Sequence, residues 1–225
     1  MATYYKYLSM GEDYMPRRER TESILREQRL FMAPYHSFND PMEAFYVSND
    51  FTRQKINDIK YEKRLFRLCC LSKCYNNILM WAHYADSHKG ICIEVEVKPY
   101  QNCIQRNIQY VSRLEQPQGR TDSELCIDIL RKKFLPWQYE QEVRFFKEIP
   151  IGLYTSPTCL DVEIKKVYLG CKLNDSEETK YREIINNARR GLPPIAIQKI
   201  HLSDLTWWKN KSNPQVLILP NHGLL

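Results

Sequence analysis

The chemistry of this chain is densest at Pro136-Trp137-Gln138-Tyr139-Glu140-Gln141-Glu142-Val143-Arg144-Phe145-Phe146. Pro136 stops any preceding helix, because it lacks an N–H and clashes one turn back. The Tyr, Val and Phe residues that follow favour a strand. Alternation along a strand puts Glu140, Glu142 and Arg144 on one face and Gln141, Val143 and Phe145 on the other. Two carboxylates this close are unfavourable unless a cation sits between them. The expected arrangement is a catalytic carboxylate with a supporting one, tempered by Arg144, beside Trp137 and Tyr139.

Other side chains could join them. Met80-Trp81-Ala82-His83-Tyr84-Ala85-Asp86-Ser87-His88-Lys89-Gly90 is rich in polar aromatics. On a helix, Trp81, Tyr84 and His88 share a face and His83 lies to the side. His36 to Glu43 reads as a loop, with Asn39 and Asp40 turning the backbone and Pro41 at the first turn of a helix. Cys70, Cys74, His83 and His88 are close enough in sequence to be weighed as a zinc set, but no C-x-x-C pair supports it. No Gly-x-Ser-x-Gly elbow is present, and seven glycines supply no phosphate loop.

The elements that must position these residues read as follows. Residues 4–8 form a first strand, with Tyr5 and Tyr7 on one face and Lys6 on the other. Thr21 caps a helix through Ile24 and Leu25, and Leu30 to Ala33 forms a second strand. Residues 44–64 are mostly helical. Leu65 to Ser72 is a buried strand, and Asn76 opens a helix with Ile78, Leu79, Trp81, Ala82 and Ala85 inward. Ile91 to Val97 alternates as a strand with one wet face. Asn107 to Ser112 is a further strand. Thr121-x-x-Glu124 is a capping box. Val162 to Leu169 is extended, and Asn174 caps a helix that ends before Gly191. Ile195 to Leu202 and Val216 to Leu219 are the last strands. The mixture lacks a βαβ rhythm, so the expected class is α+β, a single domain over residues 1–225 with a mixed or antiparallel central sheet and flanking helices.

The 225 residues, 43% hydrophobic and 27% charged, are those of an ordinary globular chain. No apolar run reaches the roughly 18–20 residues that span a bilayer. Met1 to Lys6 has no apolar signal core, which reads as cytoplasmic. Eight cysteines in such a chain read as free thiols. A net charge of +6 suits a polyanion, but runs such as Arg131-Lys132-Lys133 read more simply as solvated faces.

Tyr5-Lys6-Tyr7, Phe38 to Glu43, Met80 to Asp86, His88 to Glu94 and Trp137 to Arg144 together resemble the bacterial family catalogued as domain of unknown function 2971, over residues 4 to about 170. The order of elements is also similar to ADP-ribosyltransferase folds, although this chain has no Ser-Thr-Ser strand and no first-strand Arg. That resemblance implies NAD as substrate and no metal. It implies Glu142, Glu140 and Tyr5 as catalytic residues, Glu142 being the essential one as the second Glu of Glu-x-Glu. Tyr7, Lys6, Asn39, Asp40, Trp81, His83, Tyr84 and Arg144 would bind the dinucleotide. It further implies a toxin or phage-defence effector, an acceptor that is protein or nucleic acid, and an antitoxin or defence-system partner. The alternatives are a metal-dependent nuclease using Glu140, Glu142, Asp40 and His83, and a non-catalytic binding or regulatory module.

Overall fold

The computed structural model describes residues 2–11, 15–99, 101–150 and 157–206. Its strands are β1 (Thr3–Leu8), β2 (Arg29–Phe31), β3 (Phe66–Ser72), β4 (Ile91–Val97), β5 (Ile104–Asn107), β6 (Gln109–Val111), β7 (Lys132–Phe134), β8 (Glu142–Glu148), β9 (Cys159–Leu169) and β10 (Ala196–Lys199). Its helices are α1 (Met15–Glu27), α2 (Arg53–Lys63), α3 (Ile78–Tyr84), α4 (Asp122–Leu130) and α5 (Asp175–Ala188). The class is α+β. Seven strands run β10-β9-β4-β1-β3-β8-β5, and β2 adds to β9. Every pair in this sheet is antiparallel except β10 with β9.

The seam between β1 and β3 matters most for the site. β1 pairs with β4 along its whole length, and β3 pairs with β8 from Phe66 to Ser72. β1 and β3 meet only at Tyr5 and Ser72. The sheet therefore parts beside that pair, and unpaired backbone there needs other partners. Lys6 supplies one, its ammonium donating to the Cys70 carbonyl at 3.0 Å.

Alternation assigns the faces. Val143 and Phe145 of β8, Cys69 and Leu71 of β3, and Ile93 and Val95 of β4 enter one core with Ile24 and Leu25 of α1 and Ile185 of α5. On the other face, Phe66, Leu68 and Phe146 pack with Ile59 of α2 and with α4. A third cluster sets Tyr7, Cys92 and Tyr168 against Met80 and Trp81 of α3. Side chains of this size each contribute about 1.5–3 kcal/mol on full burial. α4 and α5 start at capping boxes made by Thr121 with Glu124 and Asn174 with Glu177.

Several expectations need correction. The apolar strand at residues 143–147 reads as central and near the first strand; β8 is instead one strand in from the edge, because the long β9 extends the sheet on the far side and leaves β1 and β3 in the middle. Thr21 lies inside α1, not at its cap, and its hydroxyl donates to the Ser9 carbonyl at 2.7 Å. Pro41 starts a turn, and helix resumes only at Arg53, capped by the Thr52 side chain. Asn77 caps α3 one residue later than expected, and Leu79 points outward. Residues 107–112 split into the end of β5 and β6. The last strand expected, 216–219, lies outside the described residues.

Candidate functional site

A cleft of about 170 Å³ opens where β1 and β3 part. β1 contributes Tyr5, Lys6 and Tyr7, β3 Cys70 and Ser72, and β8 Glu142 and Arg144. Tyr84 of α3, Lys133 of β7, Glu140, and Phe38, Asn39 and Glu43 of the loop after β2 complete it. Tyr5 and Glu142 thus face one cavity.

The two carboxylates arrive by different routes. Glu142 opens β8 and shares its face with Arg144, while Val143 and Phe145 enter the core. Glu140 is not on that strand. It ends a 3-10 turn, Leu135–Glu140, after which Gln141 takes a left-handed conformation at φ 46°. That kink breaks the alternation. Ser72 holds it, its hydroxyl donating to the Glu140 carbonyl at 2.7 Å. The Glu142 N–H donates to the Tyr110 hydroxyl at 2.8 Å.

The charges form one buried cluster. Arg144 is 1% exposed and Glu142 5%. Arg144 Nε donates to Glu142 Oε1 at 2.7 Å, and Nη2 reaches Oε2 at 3.3 Å. The opposite edge of the guanidinium forks onto Glu43, at 2.6 and 2.9 Å. Its remaining N–H, on Nη1, donates to the Leu130 carbonyl at 2.5 Å. Lys133 bonds Glu140 Oε2 and stands 3.4 Å from Glu142 Oε2, with the Trp137 ring 4.5 Å from its ammonium. The Tyr84 hydroxyl donates to Glu140 Oε1 at 2.6 Å, and Asn39 donates to Tyr84 at 3.1 Å.

These contacts push the carboxylates apart. Burial alone would raise Glu142, but Arg144 and Lys133 overcome it and hold its pKa at about 2. Glu140 is raised instead: burial outweighs the pull of Lys133, and Glu142 adds repulsion. Two acids of one type with opposite shifts are a pattern associated with acid–base and electrostatic work. Tyr5 is pushed up to about 12 by burial and then by Glu94, so it stays a neutral donor. Tyr84 is raised by burial and by its bond to Glu140.

The remaining candidates divide. Tyr5, Tyr7, Lys6, Asn39, Tyr84 and Arg144 all reach the cleft. Trp81 does not: it is 1% exposed, edge-on to Tyr7, with its indole donating to the Tyr75 carbonyl at 2.7 Å. Asp40 is a turn residue whose carboxylate accepts the Met42 N–H at 2.9 Å. His83 is exposed beside Tyr84 and Tyr139 and does not line the cleft. Cys70, Cys74, His83 and His88 do not assemble, and among the described residues no three His, Cys, Asp or Glu side chains are grouped to hold a metal. Arg144 has every N–H engaged, so it cannot grip a phosphate without giving up a partner.

Sequence reasoning missed Lys133, Glu43, Ser72 and Tyr110 as site residues. Lys133 read as part of a solvated basic run, yet it is buried. Alternation within Lys132-Lys133-Phe134 was the available signal, since it sends two adjacent lysines to opposite faces. Glu43 lay in a loop whose reach to β8 is a tertiary fact.

A family model described as "Protein of unknown function (DUF2971)" matches residues 80–145. This stretch of the chain is similar to the DUF2971 family. The DUF2971 match is narrower than the span expected from residue 4 to about 170. It runs from α3 into β8 and so holds Tyr84, Lys133, Glu140, Glu142 and Arg144, while Tyr5, Lys6 and Glu43 lie outside it. No curated protein and no solved structure matches the chain. Likeness to ADP-ribosyltransferases therefore rests on residue order alone. Among the described residues, no helix is long and apolar enough to cross a membrane.

Proposed function

We propose that this protein cleaves the nicotinamide–ribose bond of NAD, as an ADP-ribosyltransferase or NAD glycohydrolase. The observation that carries the reading is the shared cleft: Tyr5 of the first strand and Glu142, opening a late strand, face one cavity where the sheet parts. Heterolysis sends the C–N bonding pair to the departing nicotinamide and leaves an oxocarbenium-like ribose. A fixed anion beside that centre lowers the barrier. Glu142, ionised and held at a set angle by Arg144, is placed for that task. Tyr5 and Tyr7 line the cleft and supply aromatic surface for a nicotinamide ring. Lys6 bonds the Cys70 carbonyl and forms no ion pair among the described residues, so its ammonium is available to a pyrophosphate. The ribosyl group then passes to water or to a protein or nucleic-acid acceptor. The cellular setting that suits such chemistry is a toxin or phage-defence effector acting in the cytoplasm, with an antitoxin or defence-system partner.

The nuclease alternative finds less support. Lys133 and Arg144 stand between the three carboxylates, where a divalent ion would have to sit. The test is nicotinamide release from NAD by purified protein, with and without EDTA, alongside NAD-dependent melting. Release that EDTA leaves unchanged is expected. No release and no melting shift with NAD would overturn the reading, and EDTA-sensitive cleavage of nucleic acid would replace it.

A further inference from the structure

We infer that Glu43 is a positioning residue of this cleft: by holding the outer edge of Arg144, it leaves one oxygen of Glu142 loosely bonded and open to substrate. The inference deepens the NAD-cleaving reading and rests on it for its kinetic half.

A guanidinium has five N–H donors in a rigid plane. Those of Arg144 meet five acceptors: two oxygens of Glu43, two of Glu142, and the Leu130 carbonyl. The two carboxylates are not held alike. Both Glu43 oxygens lie within 2.9 Å of a donor. Against its two cations Glu142 has one tight oxygen, Oε1 at 2.7 Å, and one loose one, Oε2, at 3.3 and 3.4 Å, and the Cys70 thiol also bonds this carboxylate. Loose contacts are weak ones. Oε2 is therefore the oxygen that can take a ribose hydroxyl or face a developing positive charge. Glu43 keeps it so, because Arg144 divides its charge between two acids and its plane is fixed from behind.

The loop that carries Glu43 is itself fixed. Ala44, the next residue, sits at φ +65°, a conformation costly for alanine. Its carbonyl accepts the buried Lys63 ammonium at 3.1 Å, and that ammonium lies 5.1 and 5.2 Å from the rings of Tyr35 and Tyr46. Backbone strain kept in place by a dedicated lysine marks a geometry the surrounding structure enforces. Here it aims Glu43 at Arg144.

The experiment compares wild type, Glu43→Gln, Glu43→Asp and Ala44→Gly in NAD turnover, with a crystal structure of each variant. Glu43→Gln removes one of the two charges that Arg144 serves, so Arg144 turns its full charge on Glu142. The Nη2–Oε2 separation should fall below about 3.0 Å, within ordinary bonding range. kcat should drop about 10- to 100-fold with KM within about twofold, the signature of an interaction made in the transition state. Glu43→Asp, which keeps the charge, should recover most of the rate. Ala44→Gly relaxes the aim of Glu43 without touching the cluster, and should lower kcat less, again without KM. It decides the matter if Glu43→Gln does not fold. Unchanged kcat together with an unmoved Glu142 carboxylate would overturn the inference. If wild type releases no nicotinamide, the NAD reading fails, and the crystal structures alone still decide whether Glu43 sets the Glu142 geometry.

Discussion

Lys132 and Lys133 are neighbours on β7, yet each enters a different buried charge cluster. Lys132 bonds Asp128 of α4 at 2.8 Å, and the same carboxylate takes Arg131 at 2.8 Å and the Gln118 N–H at 2.9 Å. Lys132 also stands 3.8 Å from Glu115, so two acids there meet two cations. Lys133 enters the other cluster, where Glu43, Glu140 and Glu142 share Lys133 and Arg144. Three acids there meet two cations, on the wall of an open cleft. The first arrangement pins the C-terminal turn of α4 and lies outside that cleft. The second carries one acid more than its cations, and Glu140 is the one that is raised, by burial first and then by the charge of Glu142. Buried charge that balances needs no explanation beyond stability; a buried excess facing a cavity points to work on a ligand.

The comparison can be broken at several points. Arg144→Met should have the largest effect on stability. It strands Glu43 and Glu142 without their shared cation, and breaking a buried pair from one side costs about 3–5 kcal/mol. Denaturant unfolding reads this directly. Asp128→Asn should cost less, about 1.5–3 kcal/mol for charged hydrogen bonds, with NAD turnover unchanged. A turnover defect there would erase the distinction between the clusters.

Acid melting gives a finer test. Glu142 in the folded protein lies at about 2, below its ordinary 4.5. Its contribution is complete above the ordinary value and is lost as pH falls toward about 2. Wild type should therefore lose Tm across that window more steeply than Glu142→Gln. Asp128 is also lowered, burial opposing and Lys132, Gln118 and Arg131 prevailing, so Asp128→Asn should flatten the same limb. Glu140 works the other way, because a raised carboxylate loses its contribution as pH rises through its folded value. His83→Ala should do least. The ring is exposed and off the cleft, so stability should stay within about 0.5 kcal/mol and turnover should not change.

Local physics explains what the sequence revealed. The capping boxes at Thr121 and Asn174, the alternation of Ile91 to Val97, and the shared face of Glu142 and Arg144 depend on neighbours a few residues away, and all can be read from spacing. Glu140 could not be placed that way. Its route turns on the left-handed Gln141, a residue type that gives no warning of positive φ. Trp81 and Asp40 looked like ligand contacts because their chemistry suits one, but burial behind Tyr7 and a local turn claim them. Lys133 and Glu43 needed the tertiary fold, since neither the parting of β1 from β3 nor the reach of the loop to β8 has a local signature.

The central claim is that Glu142 is the anion that stabilises bond breaking. Glu142→Gln keeps the volume and leaves Glu43 and Glu140 to balance Arg144 and Lys133, so the variant should fold. Nicotinamide release from NAD by Glu142→Gln, with wild type and Asp128→Asn alongside and melting curves on each, is the most direct measurement. The account predicts a loss of about 10²–10³-fold in turnover, some 3–4 kcal/mol of barrier, in a folded protein, with Asp128→Asn near wild type. A folded Glu142→Gln protein that releases nicotinamide at the wild-type rate would contradict it.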